Sequence, residues 1–251
     1  MIIDFPTDAQ LPGLRVLWKE AFADPEPFLD SFFSVGFSPY RCRCLRRDTA
    51  PLAALYWFDC HWGSKRLAYV YAVATAKSHR GQGLCHALME NTRKHLLQLG
   101  YSGIVLVPAK PELFAFYEKM GYRPFGGIRQ WECTAGHTAV ALEELTVEAY
   151  AEARKAILDT DCVLQEGATL RFLHTYARFY QGQDFLLCAA LENGKLMGYE
   201  LLGNTDAAPG ILAALGAKKG IFRTRGDAPF GMYLRLTEDT ALPGYFAFAL
   251  E

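Results

Sequence analysis

Residues 69–85, which read YVYAVATAKSHRGQGLC, decide the fold, because a buried strand ends in this stretch and a long helix begins there. The apolar, β-branched run that ends at Thr75 predicts the strand. A glycine turn, Arg80-Gly81-Gln82-Gly83, follows it. Residues at helical spacing then lead to Gly100, the expected C-cap, and they are Leu84, Leu88, Thr92, Leu96 and Leu99. The stretch therefore predicts a strand, a glycine turn and a helix in direct succession.

This turn has the features of a pyrophosphate cradle. The first N–H groups of a helix have no partner inside the helix, and the helix dipole favours negative charge at that end. Gly81 and Gly83 would let a phosphate approach the backbone closely. The spacing excludes two common phosphate-binding motifs: the third glycine of Gly-x-Gly-x-x-Gly would fall on His86, and no Gly-Lys-Ser/Thr is present. On its own, such a turn is more often a plain tight turn than a binding site.

Two motifs favour the interpretation that this turn binds a pyrophosphate. Arg80-x-x-Gly83-x-Cys85 resembles the Arg/Gln-x-x-Gly-x-Gly/Ala signature of the GNAT superfamily of N-acetyltransferases, which bind the pyrophosphate of acetyl-coenzyme A. Residues 113–122, LFAFYEKMGY, are similar to the aromatic-Tyr-x-x-x-Gly-aromatic run on the helix after the fifth strand of that family. The resemblance covers about residues 1–135. The implied fold is a mixed α/β (α+β) fold with a central mixed sheet flanked by helices.

The resemblance also implies which residues hold acetyl-coenzyme A as co-substrate. The backbone of Val73, Ala74 and Thr75 would align the pantetheine arm. The pyrophosphate would lie on the main chain of a second group of residues, namely Arg80, Gly81, Gln82, Gly83, Leu84 and Cys85. Tyr117 matches the tyrosine near the sulfur that acts as general acid, and a phenol is protonated at neutral pH.

The sequence departs from the family pattern at two of these positions. Cys85 stands where Gly or Ala is usual, and we expect this small side chain to pack rather than to react. Lys110 occupies the region where many members carry an Asn near the cofactor, so the side-chain contact there is in doubt.

Composition excludes several classes of protein. The chain has 251 residues and a net charge of −1, so it lacks a basic field for nucleic acid or an anionic membrane. No apolar run reaches the roughly 18 residues of a membrane span, and residues 1–10 show no signal pattern. Seven cysteines at irregular spacing favour reduced thiols and a cytoplasmic location. Cys42-x-Cys44 suits core packing, and no metal site is expected.

The chain is expected to have two domains. Residues 1–136 would form the GNAT domain, and residues 137–251 a smaller C-terminal α+β domain. The sequence of this C-terminal domain predicts helices over 146–158 and 170–180 and a hairpin with an Asn193-Gly194 turn. It also predicts strands over 221–224, 231–236 and 245–250. This order echoes the first half but lacks the glycine signature. The C-terminal part is therefore either a degenerate second GNAT-like copy that binds no cofactor or a family-specific extension.

The sequence leaves the acceptor and the general base open. Residues 67–71 carry no carboxylate, so Asp59 and His61 are the nearby groups that could act as a base through water. Aromatic residues on the flanking strands could line the acceptor cleft by cation–π contact or could belong to the core; they are Tyr56, Trp57, Phe58, Trp62, Tyr69 and Tyr71. The expected partner is a small-molecule or peptide amine, and a homodimer is a possible assembly. The alternative to an N-acetyltransferase is a non-catalytic acyl-coenzyme A sensor.

Overall fold

The computed structural model describes residues 1–238 and 241–250, and the contacts within them define two compact units. The first unit contains residues 1–123 together with 233–238, and the second contains 124–232 together with 241–250. Each unit is thus completed by a segment that is distant in sequence. The boundary after residue 136, which concerns functional domains, stays a prediction.

The first unit is a mixed sheet with helices on both faces. Its elements in chain order are β1 (Ile2–Asp4), α1 (Leu11–Phe22), α2 (Glu26–Ser31), β2 (Cys42–Arg47), β3 (Ala50–Trp62), β4 (Lys65–Thr75), α3 (Leu84–Gln98), β5 (Gly103–Leu106) and α4 (Glu112–Glu118). The strand order is β1-β2-β3-β4-β5, with antiparallel neighbours up to β4 and a parallel β4/β5 pair. The strand, turn and helix predicted around residues 69–85 are all present.

Alternation along β3 separates the two faces of this sheet. Tyr56 points to the side of α1, where its ring lies 5.3 Å from that of Trp18. Trp57 points to the opposite side, where its ring lies 6.3 Å from that of His95 on α3. Both faces are therefore covered, which explains why β3 reads as an almost continuous apolar run.

The second unit also contains a mixed set of paired strands. Its elements are β6 (Arg123–Thr134), β7 (Glu143–Leu145), α5 (Val147–Ile157), β8 (Val163–Gln165), α6 (Ala168–Leu173), β9 (Arg178–Gln181), β10 (Phe185–Glu192), β11 (Lys195–Gly203), α7 (Ala208–Ala214), β12 (Lys219–Arg225) and β13 (Ala228–Arg235), the last of which passes into the first unit at Tyr233. The order is β6-β12-β11-β10-β9-β7, and β11/β12 is the parallel pair. The predicted mixed α/β class, with a large mixed sheet flanked by helices, is confirmed.

The β10/β11 hairpin turns at the predicted residues. Asn193 and Gly194 have φ values of +51° and +73°, and Glu192 pairs with Lys195. Positive φ at both central positions is the requirement of a type I′ turn, which matches the twist of the strands.

Two expectations for the second unit were wrong. The helix over 170–180 ends at Leu173, and residues 178–181 instead form β9 against β10. The apolar spacing there fits a helix and a strand alike, and stacking of Phe179 on Tyr150 at 4.1 Å favours the strand.

Residues 245–250 are buried but form no regular strand beyond a single bridge at Tyr245. The Gln165 side chain supplies the missing partners, since it donates to the Phe248 carbonyl at 2.9 Å and accepts from the Phe248 N–H at 3.2 Å. A side chain thus replaces the neighbouring strand that the apolar run suggested.

Candidate active site

An opening between β4 and β5 is the first feature of the site. The parallel pairing of these strands ends at Tyr69 opposite Val105, although β4 continues to Thr75. A bulge shifts the β3/β4 register just beyond this point, and Ala72 within it has a φ of +49°. A bulge bends its strand and increases the local twist. Because the β4/β5 pairing stops here, the backbone edge of β4 at residues 70–75 that faces away from β3 is open to a ligand that enters between the strands.

This opening holds three of the predicted cofactor residues. Val73, Ala74 and Thr75 form the end of β4, where Ala74 is buried and the other two are half-buried. Sequence reasoning missed the bulge at Ala72, because alanine carries no signal for positive φ.

The glycine turn leads directly from this strand to α3. Gly81 and Gly83 have φ values of +75° and +76°, and no atom lies within 4 Å of the position that a Cβ would occupy on either residue. Glycine is therefore required at these two positions by the left-handed backbone, and crowding by neighbouring atoms is not the reason. The space in front of both residues is open. α3 begins at Leu84, and the Ala87 N–H makes the first intrahelical bond, to the Gly83 carbonyl at 3.0 Å. The N–H groups of residues 84–86 precede that bond, as an anion site requires.

The signature side chains hold the turn in shape. Arg80 Nε donates to the Thr75 carbonyl at 3.2 Å, and Gln82 Nε2 donates to the Ser78 carbonyl at 3.4 Å. The Arg80 side chain thus bonds back to the end of β4, and the Gln82 side chain bonds back to the 3₁₀ turn that follows β4.

Tyr117 lies near Cys85, the last residue of the glycine signature. Tyr117 on α4 is 7% exposed, and its ring lies 5.6 Å from that of Tyr122. Burial, with a smaller contribution from neighbouring Cys85, raises the pKa of the Tyr117 phenol well above its usual value. The hydroxyl is therefore protonated at neutral and moderately alkaline pH, as a proton donor to a leaving thiolate must be.

Cys85 is placed as a packing residue. Burial raises the pKa of its thiol to about 11, so the thiolate is scarce at neutral pH. The thiolate is the nucleophilic form, and low-pKa environments are typical of reactive cysteines. The environment of Cys85 instead raises the pKa of its thiol, which is typical of an unreactive, packed cysteine.

We therefore expect Cys85→Ala, which restores a residue usual in the family that the sequence resembles, to keep acyl-transfer activity within about threefold of the parent. Alkylation of Cys85 by iodoacetamide in the parent should be slow at pH 7.5 and should accelerate as the pH rises toward 11, since deprotonation makes the reactive form. Steady-state thiol release and mass spectrometry of the labelled peptide measure the two effects. A loss of more than a hundredfold in a folded Cys85→Ala protein would make the thiol a participant.

The remaining predicted residues lie apart from this group. Lys110 is exposed in the segment between β5 and α4, and its role stays a prediction. Asp59 pairs with Ala68 near the start of β4, roughly 20 Å along the strand from Thr75. It accepts hydrogen bonds from the Tyr101 hydroxyl and from Arg41 and Arg66. Burial would raise its pKa, but these donors together lower it. Asp59 therefore fits a structural ion cluster, and no base is assigned.

The aromatic residues of the flanking strands are mostly core. Five of them are buried, and Tyr71 is half-buried; the buried ones are Tyr56, Trp57, Phe58, Trp62 and Tyr69. This burial supports the packing interpretation, and the half-buried Tyr71 also packs on the core, since its ring lies 5.5 Å from that of Trp18.

No metal centre or membrane span is found in the part of the chain that the structure describes. Residues 1–238 and 241–250 contain no group of three or more His, Cys, Asp or Glu side chains arranged to hold a metal ion. Within the same residues, every helix is too short or too polar to cross a bilayer.

Comparison with known proteins agrees with this geometry. A family model described as an acetyltransferase (GNAT) domain matches residues 3–125, and no curated protein matches the sequence. The fold is similar to a GCN5-related N-acetyltransferase from Kribbella flavida, at a TM-score of 0.69 and 17% identity over 92% of this chain and 70% of that one. It is also similar to one from Anabaena variabilis, at a TM-score of 0.70 and 16% identity over 94% and 73% of the two chains.

A third similar structure is almost as short as this chain. It is a putative acetyltransferase from Pyrococcus horikoshii, with a TM-score of 0.65 and 16% identity over 98% of this chain and 91% of that one. These TM-scores establish a shared fold, and the matched domain contains the β4/β5 opening, the glycine turn and Tyr117. Residues 3–125 therefore belong to the GNAT superfamily of acetyltransferases.

Proposed function

We propose that this acyltransferase moves an acetyl group from acetyl-coenzyme A directly to a primary amine. The observation that carries the proposal is the glycine turn, where two left-handed glycines leave open space in front of the first N–H groups of α3. A pyrophosphate fits this position because its negative charge suits the N–H groups at the start of a helix, and because the open space lets its oxygens approach the backbone closely. The pantetheine arm would then lie along residues 73–75 of β4, with Lys110 as a further contact.

Direct transfer needs one proton donor at the sulfur. The neutral amine attacks the thioester carbonyl carbon, the carbon–sulfur bond breaks, and the Tyr117 hydroxyl gives its proton to the departing sulfur. The amine proton leaves to solvent or to a base that we do not assign. Burial keeps Tyr117 protonated, and its neighbour Cys85 lies in the first turn of α3, directly after the cradle glycines.

The acceptor is proposed as a small molecule or a peptide that carries a primary amine. We propose no nucleic-acid or membrane partner, which the charge balance of the chain supports, and a cytoplasmic location, which the cysteine usage supports. The oligomeric state is left open, with a homodimer as one possibility.

The test is thiol release from acetyl-coenzyme A in the presence of an amine library, read with a thiol reagent and confirmed by the mass of the acetylated amine. We expect turnover on at least one amine and none without it. Tight binding of coenzyme A with no turnover on any amine would instead favour a non-catalytic acyl-coenzyme A sensor. The absence of a carboxylate at the start of β4 is the observation on the side of that second candidate.

The C-terminal domain, residues 137–251, is proposed as a degenerate GNAT-like copy. Its order β7-β9-β10-β11-β12 repeats β1-β2-β3-β4-β5, with two helices after the first strand and one between the parallel strands. The parallel β11/β12 pairing ends at Gly198, beside a register shift, much as the β4/β5 pairing ends before its bulge. This repetition favours the degenerate copy over the family-specific extension.

The second unit differs where a cofactor would need a cradle. A 3₁₀ turn over Thr205–Ala207 runs straight into α7. The Asp206 N–H is already bonded to the Asn204 side chain at 3.0 Å, and the Asp206 carboxylate would repel an anion.

We therefore expect one coenzyme A to bind per chain. The measurement is calorimetric titration of the full chain with coenzyme A. A stoichiometry near one agrees with a single cradle, and two equivalent sites would show that the second unit also binds the cofactor.

A further inference from the structure

A hydrogen bond from α1 holds the start of the turn that leads to the cradle. Glu20 Oε1 accepts from the Lys77 backbone N–H at 3.0 Å, across 57 positions of sequence. Lys77 begins the 3₁₀ turn Lys77–His79, between the end of β4 and the glycines. We propose that Glu20 is a positioning residue for cofactor binding, which orients the cradle without contact to the cofactor. This inference rests on the proposed function.

The bond fixes a peptide that the rest of the turn depends on. The Lys77 carbonyl accepts from the Arg80 N–H at 3.4 Å, and the residue before it is anchored by the Ala76 N–H on the Leu52 carbonyl at 2.9 Å. Glu20 thus holds the peptide unit between Ala76 and Lys77, and the Arg80 N–H holds the next unit, between Lys77 and Ser78. A turn that is ordered in advance does not pay its ordering entropy when the ligand binds.

The location of Glu20 is unfavourable for α1 itself. Glu20 lies in the last turn of α1, where the negative end of the helix dipole disfavours a carboxylate. The other charged side chains of this part of α1 bond to α2, since Arg15 and Lys19 both reach Glu26. The contact that Glu20 makes with the turn accounts for an acidic residue at this position.

Charge repulsion and hydrogen bonding predict opposite changes in coenzyme A affinity when Glu20 is replaced, and this difference makes the inference testable. A carboxylate near an anion site weakens anion binding by repulsion. If charge were the main effect, both Glu20→Ala and Glu20→Gln would tighten coenzyme A binding. If positioning dominates, Ala weakens binding because the acceptor is lost, whereas Gln keeps an acceptor oxygen and removes the repulsion.

The experiment is titration of the full-length parent, Glu20→Ala, Glu20→Gln and the surface control Glu152→Ala with coenzyme A, together with hydrogen exchange at the Lys77 amide. We expect Glu20→Ala to raise Kd about three- to tenfold. Glu20→Gln and Glu152→Ala should bind as tightly as the parent or, for Gln, more tightly. Lys77 exchange should accelerate in Ala alone. Alanine is the better helix former, so the melting temperature should not fall.

Several outcomes overturn the inference. Tighter binding in both Glu20 variants would make the effect electrostatic, and parent-like binding in both would remove the positioning role. Weakened binding with a lowered melting temperature and no rescue by Gln would make Glu20 structural. A parent that binds no coenzyme A would instead refute the proposed function and this inference with it, so the two failures are distinguishable.

Discussion

Replacing Gly83 with Val is expected to weaken coenzyme A binding by well over tenfold. Gly83 has a φ of +76° and open space where a Cβ would point, directly before the first residue of α3. A valine side chain would occupy the space through which a phosphate oxygen must approach the N–H groups of the helix. Calorimetry of the folded variant with coenzyme A measures the change.

Gly100 provides a matched control beyond the other end of the same helix. Its φ is +77°, and no atom lies within 4 Å of its Cβ position, so Gly100→Val carries the same left-handed strain of about 1–2 kcal/mol. We expect Gly100→Val to bind coenzyme A like the parent, with a comparable loss of stability. Equal affinities in the two valine variants would refute the placement of the pyrophosphate.

Tyr117→Phe is expected to lower turnover by roughly 10²-fold or more, in line with typical acid catalysis, while cofactor affinity changes little. The substitution keeps the ring and its contacts with Phe116 and Tyr122 and deletes only the hydroxyl. If the proton moves only as the carbon–sulfur bond breaks, the loss belongs to the transition state. Rapid-quench or steady-state turnover at saturating acetyl-coenzyme A, with a separate Kd, measures both quantities.

The dependence of kcat on pH provides a second test of Tyr117 as the proton donor. Burial raises the pKa of Tyr117, so its acid form persists as the pH rises. The parent should therefore show no alkaline loss of kcat from this group between pH 7 and 9.

Tyr122→Phe is the control for Tyr117→Phe, because it removes a buried hydroxyl next to Tyr117 without removing the proposed acid. We expect its turnover to stay within about threefold of the parent. A Tyr117→Phe turnover within twofold of the parent would make Tyr117 a packing residue. A matched loss of binding and stability would make its hydroxyl structural.

The parts of the site that depend on local chemistry could be predicted from the sequence. A left-handed turn before a helix favours glycine, so the positive φ values of Gly81 and Gly83 could be predicted from the residue type. The same holds for the Asn193-Gly194 turn. The apolar alternation and spacing of β3, β4 and α3 follow from burial on one or both faces.

The parts that depend on distant partners could not be predicted. The φ of +49° at Ala72 is imposed by the register of β3 and β4, and the residue type gives no hint of it. Glu20 reads as a solvated surface residue until α1 is seen to reach Lys77. The helix expected over residues 178–181 and the strand expected over 245–250 are wrong because other elements decide their hydrogen bonds. Residues 178–181 pair with the neighbouring β10 and with the more distant β7, and the Gln165 side chain bonds the Phe248 backbone across 83 positions.

The most direct test of the account is a crystal structure of the full chain with bound coenzyme A. We expect the pyrophosphate on the main-chain N–H groups of residues 80–85, the pantetheine arm along residues 73–75 of β4, and the sulfur within hydrogen-bond reach of the Tyr117 hydroxyl. Coenzyme A bound elsewhere, or with its sulfur remote from Tyr117, would contradict the proposed chemistry.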